Sequence, residues 1–95
     1  MTAYIIADSL VTDAAKYEGY KQIVPSTLAR FGGRFVVRGG VAVRLEGEWS
    51  PNRIVIIEFP SLDQAKAWYQ SVEYTAARRV RAGAAKINII AVSGI

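Results

Sequence analysis

Apolar residues change their spacing several times along the chain, and each change marks a new element. Residues 3–10 form a run of β-branched, aromatic and small residues before the turn-like pair Thr12-Asp13, which predicts a first strand. Over residues 13–31 the apolar side chains recur every three or four residues, as on one face of a helix. That helical face consists of Tyr17, Tyr20, Val24, Leu28 and Phe31.

The limits of this first helix follow from a few residues. Asp13 is a favourable N-cap, because its side chain can accept a hydrogen bond from a free backbone amide. Pro25 lacks the N–H that a helix interior needs, so we expect a kink, or two abutting helices with Pro25 in a first turn. The pair Gly32-Gly33 predicts the end of the helix.

Residues 34–38 predict a second strand, and the pair Gly39-Gly40 after it leaves two alternatives. The glycines form either a tight hairpin turn or a bulge inside one bent strand that reaches Glu46. We favour the bent strand, because a hairpin would add a strand and reverse the direction of every later one. A turn over residues 47–52 then leads into a strand over residues 53–59.

The second half of the chain predicts two helices and a last strand. Ser61 and Gln64 form a capping box, in which each side chain satisfies a free backbone amide. Ser71 caps a second, shorter helix that runs to about Ala82, and residues 86–93 form the last strand. The buried face of the first of these helices consists of Leu62, Ala65, Trp68, Tyr69 and Val72.

The resulting order is strand, helix, strand, strand, helix, strand in one domain over residues 1–95. This order predicts an α+β fold, the ferredoxin-like βαββαβ sandwich, with a four-stranded antiparallel sheet and the helices on one face. In residues 53–57 and 87–92, however, positions of both parities are apolar, so the other sheet face needs cover as well. A homodimer whose two sheets pack face to face is the simplest answer.

Composition narrows the possible chemistry. The chain has neither Cys nor His, which excludes thiol nucleophiles, the usual metal ligands and imidazole proton transfer. No phosphate-binding loop, dinucleotide fingerprint or metal-ligand spacing occurs, so we expect no metal and no cofactor. The net charge is +4, but only Arg78, Arg79 and Arg81 cluster. A solvated helix face explains this cluster better than an anion or nucleic-acid patch.

The compartment and two classes of partner also follow from the sequence. The first residues lack a basic segment and a long apolar run, so we expect a cytoplasmic protein with no signal peptide and no membrane partner. Residues 33–37 are superficially similar to an RNA-recognition strand. An apolar, covered sheet face argues against that role, because bases would need the face open for stacking. We therefore expect no nucleic-acid partner.

Four segments in order resemble one known family: residues 32–40 (GGRFVVRGG), 45–49 (LEGEW), 58–61 (EFPS) and 68–74 (WYQSVEY). They look like domain of unknown function family 1330, and the similarity extends over essentially the whole chain. Val72 departs from the family, which often has Pro at this first helical turn. The resemblance implies the dimeric α/β-barrel superfamily, whose members include cofactor-independent monooxygenases, isomerases, haem enzymes and proteins of no known activity. In several of them the ligand cavity lies between sheet and helices.

Arg38 and Glu58 are the most suggestive charged residues. The predicted turn pairs Glu46 with Arg53. Glu58 then lies opposite Val41, a few residues from Arg38, and a carboxylate in an apolar strand needs such a partner. Two interpretations stay open. The residues form either a buried ion pair that fixes the sheet, or an anion- or carbonyl-binding arginine beside a general base with a raised pKa.

Asp8 is a second candidate base. It shares strand parity with Tyr4 and Ile6, and the first and third strands of this fold are neighbours, so Asp8 and Glu58 could approach each other. Two close carboxylates would raise the pKa of one of them. The simpler interpretation places Asp8 at a strand end, where it faces water or caps a turn.

Polar-tipped aromatic residues are expected to line the space between helices and sheet: Tyr17, Tyr20, Trp68, Tyr69 and Tyr74. Aromatic residues at helical spacing are mostly core, but buried hydroxyl and indole N–H groups need partners. Close to Arg38, they would suit a planar, mildly polar ligand. Trp49 and Arg53 flank the predicted turn and are assigned to the dimer contact or to loop packing.

The leading hypothesis is a homodimer that binds a small aromatic or carbonyl-containing metabolite, either as a binding protein or as a cofactor-independent enzyme. Arg38 would orient an oxygen of the ligand, the aromatic residues would form the walls, and Glu58, or less favourably Asp8, would act as the base. The alternative is a non-catalytic dimeric binding or interaction module in which these residues are scaffold.

Overall fold

Four strands and three α-helices make up the computed structural model, which describes residues 1–95. In chain order the elements are β1 (Ala3–Val11), α1 (Ala14–Leu28), a 3₁₀ turn (Ala29–Phe31), β2 (Arg34–Arg38), β3 (Ile54–Phe59), α2 (Leu62–Gln70), α3 (Val72–Val80) and β4 (Ala85–Ser93). The strands are ordered β2-β3-β1-β4, and every neighbouring pair is antiparallel. The predicted ferredoxin-like α+β fold is confirmed. None of the helices has the length and apolar character to cross a membrane.

The core lies between the helices and one face of the sheet. Ile5 of β1 and two residues of β3, Ile57 and Phe59, are buried on this face. Trp68 of α2 packs against them, with its ring centroid 5.5 Å from that of Phe59. Tyr74 of α3 stacks on Trp68 at 3.9 Å, so one aromatic column fixes both short helices on the sheet.

Side-chain caps begin the helices where the sequence predicts them. Asp13 and Ser71 each accept a hydrogen bond at 3.1 Å from the backbone amide three residues further along. Ser61 accepts one from the amide of Gln64, also at 3.1 Å. The Gln64 side chain, however, accepts a bond from the Ser61 hydroxyl at 3.3 Å instead of reaching a backbone amide. Only half of the predicted capping box therefore forms.

The predicted buried face of α2 is confirmed for the residues at the centre of the helix, but the prediction for its last residue is wrong. Ala65 and Trp68 are buried, and Leu62 and Tyr69 are partly buried. Val72, which the same spacing predicts to be buried, is 82% exposed. The reason is Ser71 between α2 and α3. Its extended backbone interrupts the helical period, so α3 starts in a new orientation.

α1 runs unbroken through Pro25, so the division into two helices with Pro25 in a first turn is wrong. Proline has no N–H, which leaves the carbonyl of Lys21, four residues earlier, without its helical partner. The Arg38 guanidinium donates a hydrogen bond to this carbonyl at 2.7 Å. A side chain from β2 therefore replaces the missing helical bond. Gly32, at a φ of 71°, ends the helical region as predicted.

β2 ends at Arg38, and neither the favoured bent strand to Glu46 nor a tight hairpin forms. Gly39 has a φ of 73°, a left-handed conformation that turns the chain out of the sheet. Residues 40–53 form an irregular loop. The Asp8 carboxylate holds the end of this loop by accepting hydrogen bonds from its last two backbone amides at 2.9 and 3.3 Å. Asn52 lies in the predicted turn, whereas Arg53, the predicted first residue of the next strand, belongs to the loop.

The second face of the sheet has no cover within the single chain. Ile6, Ile56 and Ile90 lie side by side on it across three strands, and Ile90 is 60% exposed. The loop after β2 adds exposed apolar side chains at alternate positions, among them Val41 at 98% and Leu45 at 93%. Apolar surface of this kind on a small domain is typical of an interface.

Candidate functional site

A narrow cleft lies between the sheet and helices α1 and α3. Its empty space is about 470 Å³ when the open mouth is included, but only about 30 Å³ is wide enough for the centre of a water molecule. Most of its walls are apolar, including Val24 of α1, Phe35 of β2 and Ile89 of β4. This space is too small for an aromatic ligand, so such a ligand requires the side chains that narrow the cleft to move.

Three tyrosines narrow the cleft. Tyr17 and Tyr20 of α1 have ring centroids 5.2 Å apart, and Tyr74 of α3 lies 6.2 Å from Tyr20. The hydroxyl oxygens of Tyr20 and Tyr74 are 2.6 Å apart, so one hydroxyl donates to the other. The Tyr17 hydroxyl donates to the buried Ser9 of β1 at 3.3 Å. Hydroxyl groups from α1 thus contact both α3 and the sheet.

The Tyr20 hydroxyl stays protonated and does not act as a base. Burial raises its pKa far above the ordinary value of a tyrosine, and the charge and hydrogen bond of the neighbouring Tyr74 hydroxyl raise it further. The phenol therefore keeps its proton at any physiological pH. Its chemical use in the cleft is to donate or accept hydrogen bonds while neutral.

Arg81 lies behind the hydroxyl pair, just after α3. Its guanidinium carbon is 5.1 Å from the centre of the Tyr20 ring, which is a cation–π distance. Burial lowers the pKa of Arg81, but hydrogen bonding and charge from Tyr74 and Tyr20 outweigh this and raise it on balance. The pair of phenols therefore has a permanent cation on one side.

The mouth of the cleft is lined by Lys21, Arg38 and Arg53. The same three residues border an open depression just outside, which Glu18 also lines. Glu18 forms an ion pair with Lys21 at 3.2 Å. Arg38 stacks on Phe35, with its guanidinium carbon 4.3 Å from the ring centroid. One carboxylate faces three cations, so the mouth has an excess of positive charge.

Glu58 lies on the opposite face of the sheet and does not line the cleft. The register of β2 and β3 places Arg34, and not Val41, opposite Glu58. The Arg34 guanidinium forms an ion pair with the Glu58 carboxylate. Arg38 pairs with Val55 and its side chain contacts α1. The predicted Arg38–Glu58 pair is therefore wrong, because β2 stops early and a bulge in it shifts the register.

Asp8 and Glu58 share the open face but are four positions apart along paired strands, about 13 Å at roughly 3.3 Å per residue. The expected approach of the two carboxylates is therefore wrong. Slight burial raises the pKa of Asp8, but hydrogen bonds from Asn52, Trp49 and Arg53 outweigh it and lower the pKa on balance. The Trp49 indole N–H donates to Asp8 at 3.1 Å. Asp8 is thus an ionised anchor for the loop.

Two of the five aromatic residues predicted to line the cleft lie elsewhere. Trp68 is in the core, where its indole N–H donates to the Thr27 hydroxyl at 2.9 Å. Tyr69 borders a separate depression beside β4, and Arg78 donates to its hydroxyl at 3.1 Å. The structure therefore brings together Arg38 and three of the predicted aromatic residues: Tyr17, Tyr20 and Tyr74.

The whole sequence matches one family of proteins. The match to the family described as Domain of unknown function (DUF1330) covers residues 2–95. The chain belongs to the DUF1330 family. The resemblance seen in the sequence motifs is thereby confirmed. Among curated protein sequences, none matches this DUF1330 chain.

Solved structures share the fold of this DUF1330 protein at low sequence identity. A protein of unknown function from Rhodopseudomonas palustris has a TM-score of 0.76 and 19% identity, over 99% of this chain and 82% of the other. A dimeric protein of unknown function with a ferredoxin-like fold from Bacteroides fragilis has a TM-score of 0.66 and 15% identity, over 98% and 96%. SnoaB, a cofactor-independent oxygenase from Streptomyces nogalater, has a TM-score of 0.66 and 14% identity, over 99% of this chain and 93% of the other. These similarities show the fold alone.

Several polar residues in or beside the cleft of this DUF1330 protein were not predicted to be there. Lys21 follows Tyr17 by one helical turn and Ser9 has the strand parity of Ile5, so both have a signal in the spacing. Arg81 follows Tyr74 by seven residues, or two helical turns, and the predicted helix to about Ala82 includes it, so it has the same kind of signal. The predicted solvated face is also wrong for Arg81, which stacks on Tyr20.

Proposed function

We propose that this protein binds a small, planar metabolite, with an aromatic ring and a carbonyl or carboxylate oxygen, in the cleft between the sheet and helices α1 and α3. The observation that carries the proposal is the combination of three tyrosines inside the cleft with three cationic side chains at its mouth. A mostly apolar slot with a few convergent polar groups is the usual form of a small-molecule site.

The shape and charge of the cleft select this class of ligand. Tyrosine rings on the walls favour a flat aromatic group, because offset and tilted ring contacts are favourable between aromatic systems. Arg38 and Arg53 at the mouth have no carboxylate partner among the ion pairs of the chain. A guanidinium binds a carboxylate or carbonyl oxygen through charge-assisted hydrogen bonds, so the polar end of the ligand belongs at the mouth.

A reaction on the bound ligand is the second candidate. SnoaB, which has the same fold, is a cofactor-independent oxygenase. Phenol and guanidinium donors stabilise negative charge that develops on an oxygen, as in reactions that pass through an enolate. No Asp or Glu lines the cleft, so neither Glu58 nor Asp8 serves as a base in this proposal. Binding is therefore the function that the geometry supports best, and a non-catalytic binding module is compatible with it.

We also propose that two copies associate through the open face of the sheet. The isoleucines on that face and the alternating apolar residues of the loop after β2 form the apolar surface that a second copy would bury. The Bacteroides fragilis neighbour is described as dimeric, which supports the proposal. The cleft lies on the side of the sheet opposite to this face.

The binding proposal is tested with benzoate and with benzylammonium, which has the same ring and the opposite charge. The isotope-labelled protein is titrated with each compound and followed by NMR. We expect benzoate to shift the signals of Tyr17, Tyr20 and Tyr74 and to bind at least tenfold more tightly than benzylammonium. A titration in which benzoate shifts no cleft signal at millimolar concentration would overturn the proposal.

Two arginine variants separate a binding site from scaffold. Arg38→Met should weaken benzoate binding about tenfold, and the matched variant Arg79→Met, at an exposed position of α3, should leave it unchanged. Because Arg38 also holds the Lys21 carbonyl, the folded fraction of each variant is measured by the same spectra. Equal affinity in a folded Arg38→Met variant would assign Arg38 to scaffold alone.

A further inference from the structure

Each of the two hydroxyl pairs inside the cleft leaves one hydrogen without an acceptor. A tyrosine hydroxyl carries one hydrogen, so the Tyr20–Tyr74 pair holds two. One of them lies between the two oxygens, which are 2.6 Å apart. The other has no acceptor among the hydrogen bonds of the structure. The Tyr17–Ser9 pair has the same imbalance, with two hydroxyl hydrogens and one bond between them.

Arg81 gives the Tyr20–Tyr74 pair a direction. The guanidinium has only donor groups and cannot accept the spare hydrogen of either phenol. It lies over the Tyr20 ring at 5.1 Å, and its Nε is buried without a hydrogen-bond partner. A cation on one side of two hydroxyls orients their oxygens toward itself and their hydrogens away from it. A spare hydrogen that points away from Arg81 is therefore favoured, and the cleft that both tyrosines line offers it room.

We propose that the Tyr20–Tyr74 hydroxyl pair, held in one orientation by Arg81, donates a hydrogen bond to an acceptor oxygen of the ligand. This inference rests on the proposed binding function and deepens it. The ligand class narrows to compounds that present, besides the polar end at the mouth, a second acceptor oxygen inside the cleft, from a carbonyl, carboxylate or enolate group. Tyr20 and Tyr74 are the binding residues, and Arg81 is a positioning residue that acts through them.

The charges at the mouth disfavour a second class of ligand, the cationic amines. Lys21, Arg38 and Arg53 at the mouth are donors only, and no Asp or Glu lines the cleft. A ligand that places a charged amine at the mouth would meet three cations and no carboxylate of the cleft lining, which is unfavourable. The cleft therefore selects for acceptor oxygens at both its mouth and its inner wall.

The test uses two neutral probes of similar shape, acetophenone and ethylbenzene, of which only the first has an acceptor oxygen. The measured quantity is the ratio of their dissociation constants, because a general loss of packing affects both probes and cancels. In the wild type, acetophenone should bind more tightly than ethylbenzene. This preference, measured by the ratio of the two dissociation constants, should fall about tenfold in the double variant Tyr20→Phe/Tyr74→Phe. It should fall several-fold in Arg81→Met, recover in Arg81→Lys and stay unchanged in Arg79→Met.

A spectroscopic readout separates hydrogen bonding from packing. The carbonyl carbon of ¹³C-labelled acetophenone, extrapolated to full binding, should have a chemical shift near its value in water for the wild-type protein. It should move toward its value in cyclohexane in Arg81→Met and further in the double tyrosine variant. A cyclohexane-like shift in the wild type, or an unchanged ratio in the double variant, overturns the inference and leaves the binding site standing. If neither probe binds, the proposed function fails and the inference with it.

Discussion

Arg38 donates a hydrogen bond at 2.7 Å to the carbonyl of Lys21, the residue whose helical partner is missing because Pro25 has no N–H. The same guanidinium lines the mouth of the cleft and stacks on Phe35. A residue that the sequence presents as a candidate ligand-binding group thus also completes a helix. The two roles can be measured separately, since the bond to the Lys21 carbonyl depends on Pro25 and the position of Arg38 at the mouth of the cleft does not.

The structural role of Arg38 is tested by a double-mutant cycle with Pro25→Ala. Arg38→Met alone should lower the free energy of unfolding by about 1 kcal/mol, because the Lys21 carbonyl loses a charged donor at a position that water can reach. In the Pro25→Ala background the loss should be about half or less, since the new alanine N–H bonds to that carbonyl. Urea denaturation of the four proteins measures the coupling. Equal losses in both backgrounds would contradict this account.

The loop after β2 should depend on the ionised form of Asp8. Asp8→Asn should lower the free energy of unfolding by about 1 kcal/mol at pH 7, because the carboxylate accepts three hydrogen bonds at an exposed site. The pKa of Asp8 is lowered from 3.8 in the folded protein. Its stabilising effect is therefore complete above the unfolded pKa and is lost as the pH falls through the lower folded pKa.

Urea denaturation from pH 7 to pH 2 checks this pH dependence. The difference between wild type and Asp8→Asn should be constant above about pH 5 and should shrink below about pH 4. Glu48→Gln, in the same exposed loop, is the control and should change stability by less than about 0.5 kcal/mol. A difference that grows on acidification would mean that the Asp8 carboxylate is not stabilised by these bonds.

The fold could be predicted from the sequence because its signals are local. Alternation in β1, helical spacing after Asp13 and the serine caps at Ser61 and Ser71 each fix one element without reference to the others. Antiparallel order and crossover handedness then leave few topologies. The three cleft tyrosines follow from the same helical spacing, which is why their grouping was within reach of the sequence.

The carboxylates of the candidate site could not be predicted, because their partners depend on register. The conformation of Gly39 ends β2 at Arg38, before Val41, the predicted partner of Glu58, and a bulge between Phe35 and Val37 shifts the remaining pairs. Glu58 therefore meets Arg34 on the opposite face from Arg38. Neither the glycine conformation nor the bulge has a signal in the alternation of apolar residues.

The contact between α1 and α2 in the core predicts that removal of the Thr27 hydroxyl strongly lowers the free energy of unfolding. Thr27 is buried and its hydroxyl accepts the indole N–H of Trp68 at 2.9 Å. Thr27→Val keeps the shape and removes the acceptor, so the free energy of unfolding should fall by about 1–3 kcal/mol. Ser26→Ala, at an exposed position of the same helix, should cost less than about 0.5 kcal/mol. Thermal unfolding measures both variants.

The same Thr27 variant tests whether Trp68 belongs to the core alone or also to the ligand site. Trp68 does not line the cleft, so benzoate should bind the folded Thr27→Val protein with unchanged affinity. A tenfold loss of benzoate binding in a variant that is fully folded would place Trp68 in the ligand site after all, as the helical spacing first suggested. Full stability of the variant would instead mean that water replaces the threonine hydroxyl.

The open sheet face predicts the oligomeric state. Ile90 lies on this face beside Ile6 and is 60% exposed in the single chain. Ile90→Lys places a charge in the proposed apolar interface, where it has no partner and cannot be solvated, so the dimer should dissociate at micromolar concentration. Val72→Lys is the matched control, since Val72 is 82% exposed at the start of α3 and away from the sheet.

Analytical ultracentrifugation distinguishes the outcomes. Wild type and Val72→Lys should sediment as dimers at micromolar concentration and Ile90→Lys as a monomer, because an interface of roughly 1,600 Å² normally stabilises a specific complex. A wild-type monomer under these conditions would rule out association through the open face. Since the cleft is on the opposite side of the sheet, a folded Ile90→Lys monomer should still bind benzoate. Loss of benzoate binding together with dissociation would mean that the partner copy contributes to the site.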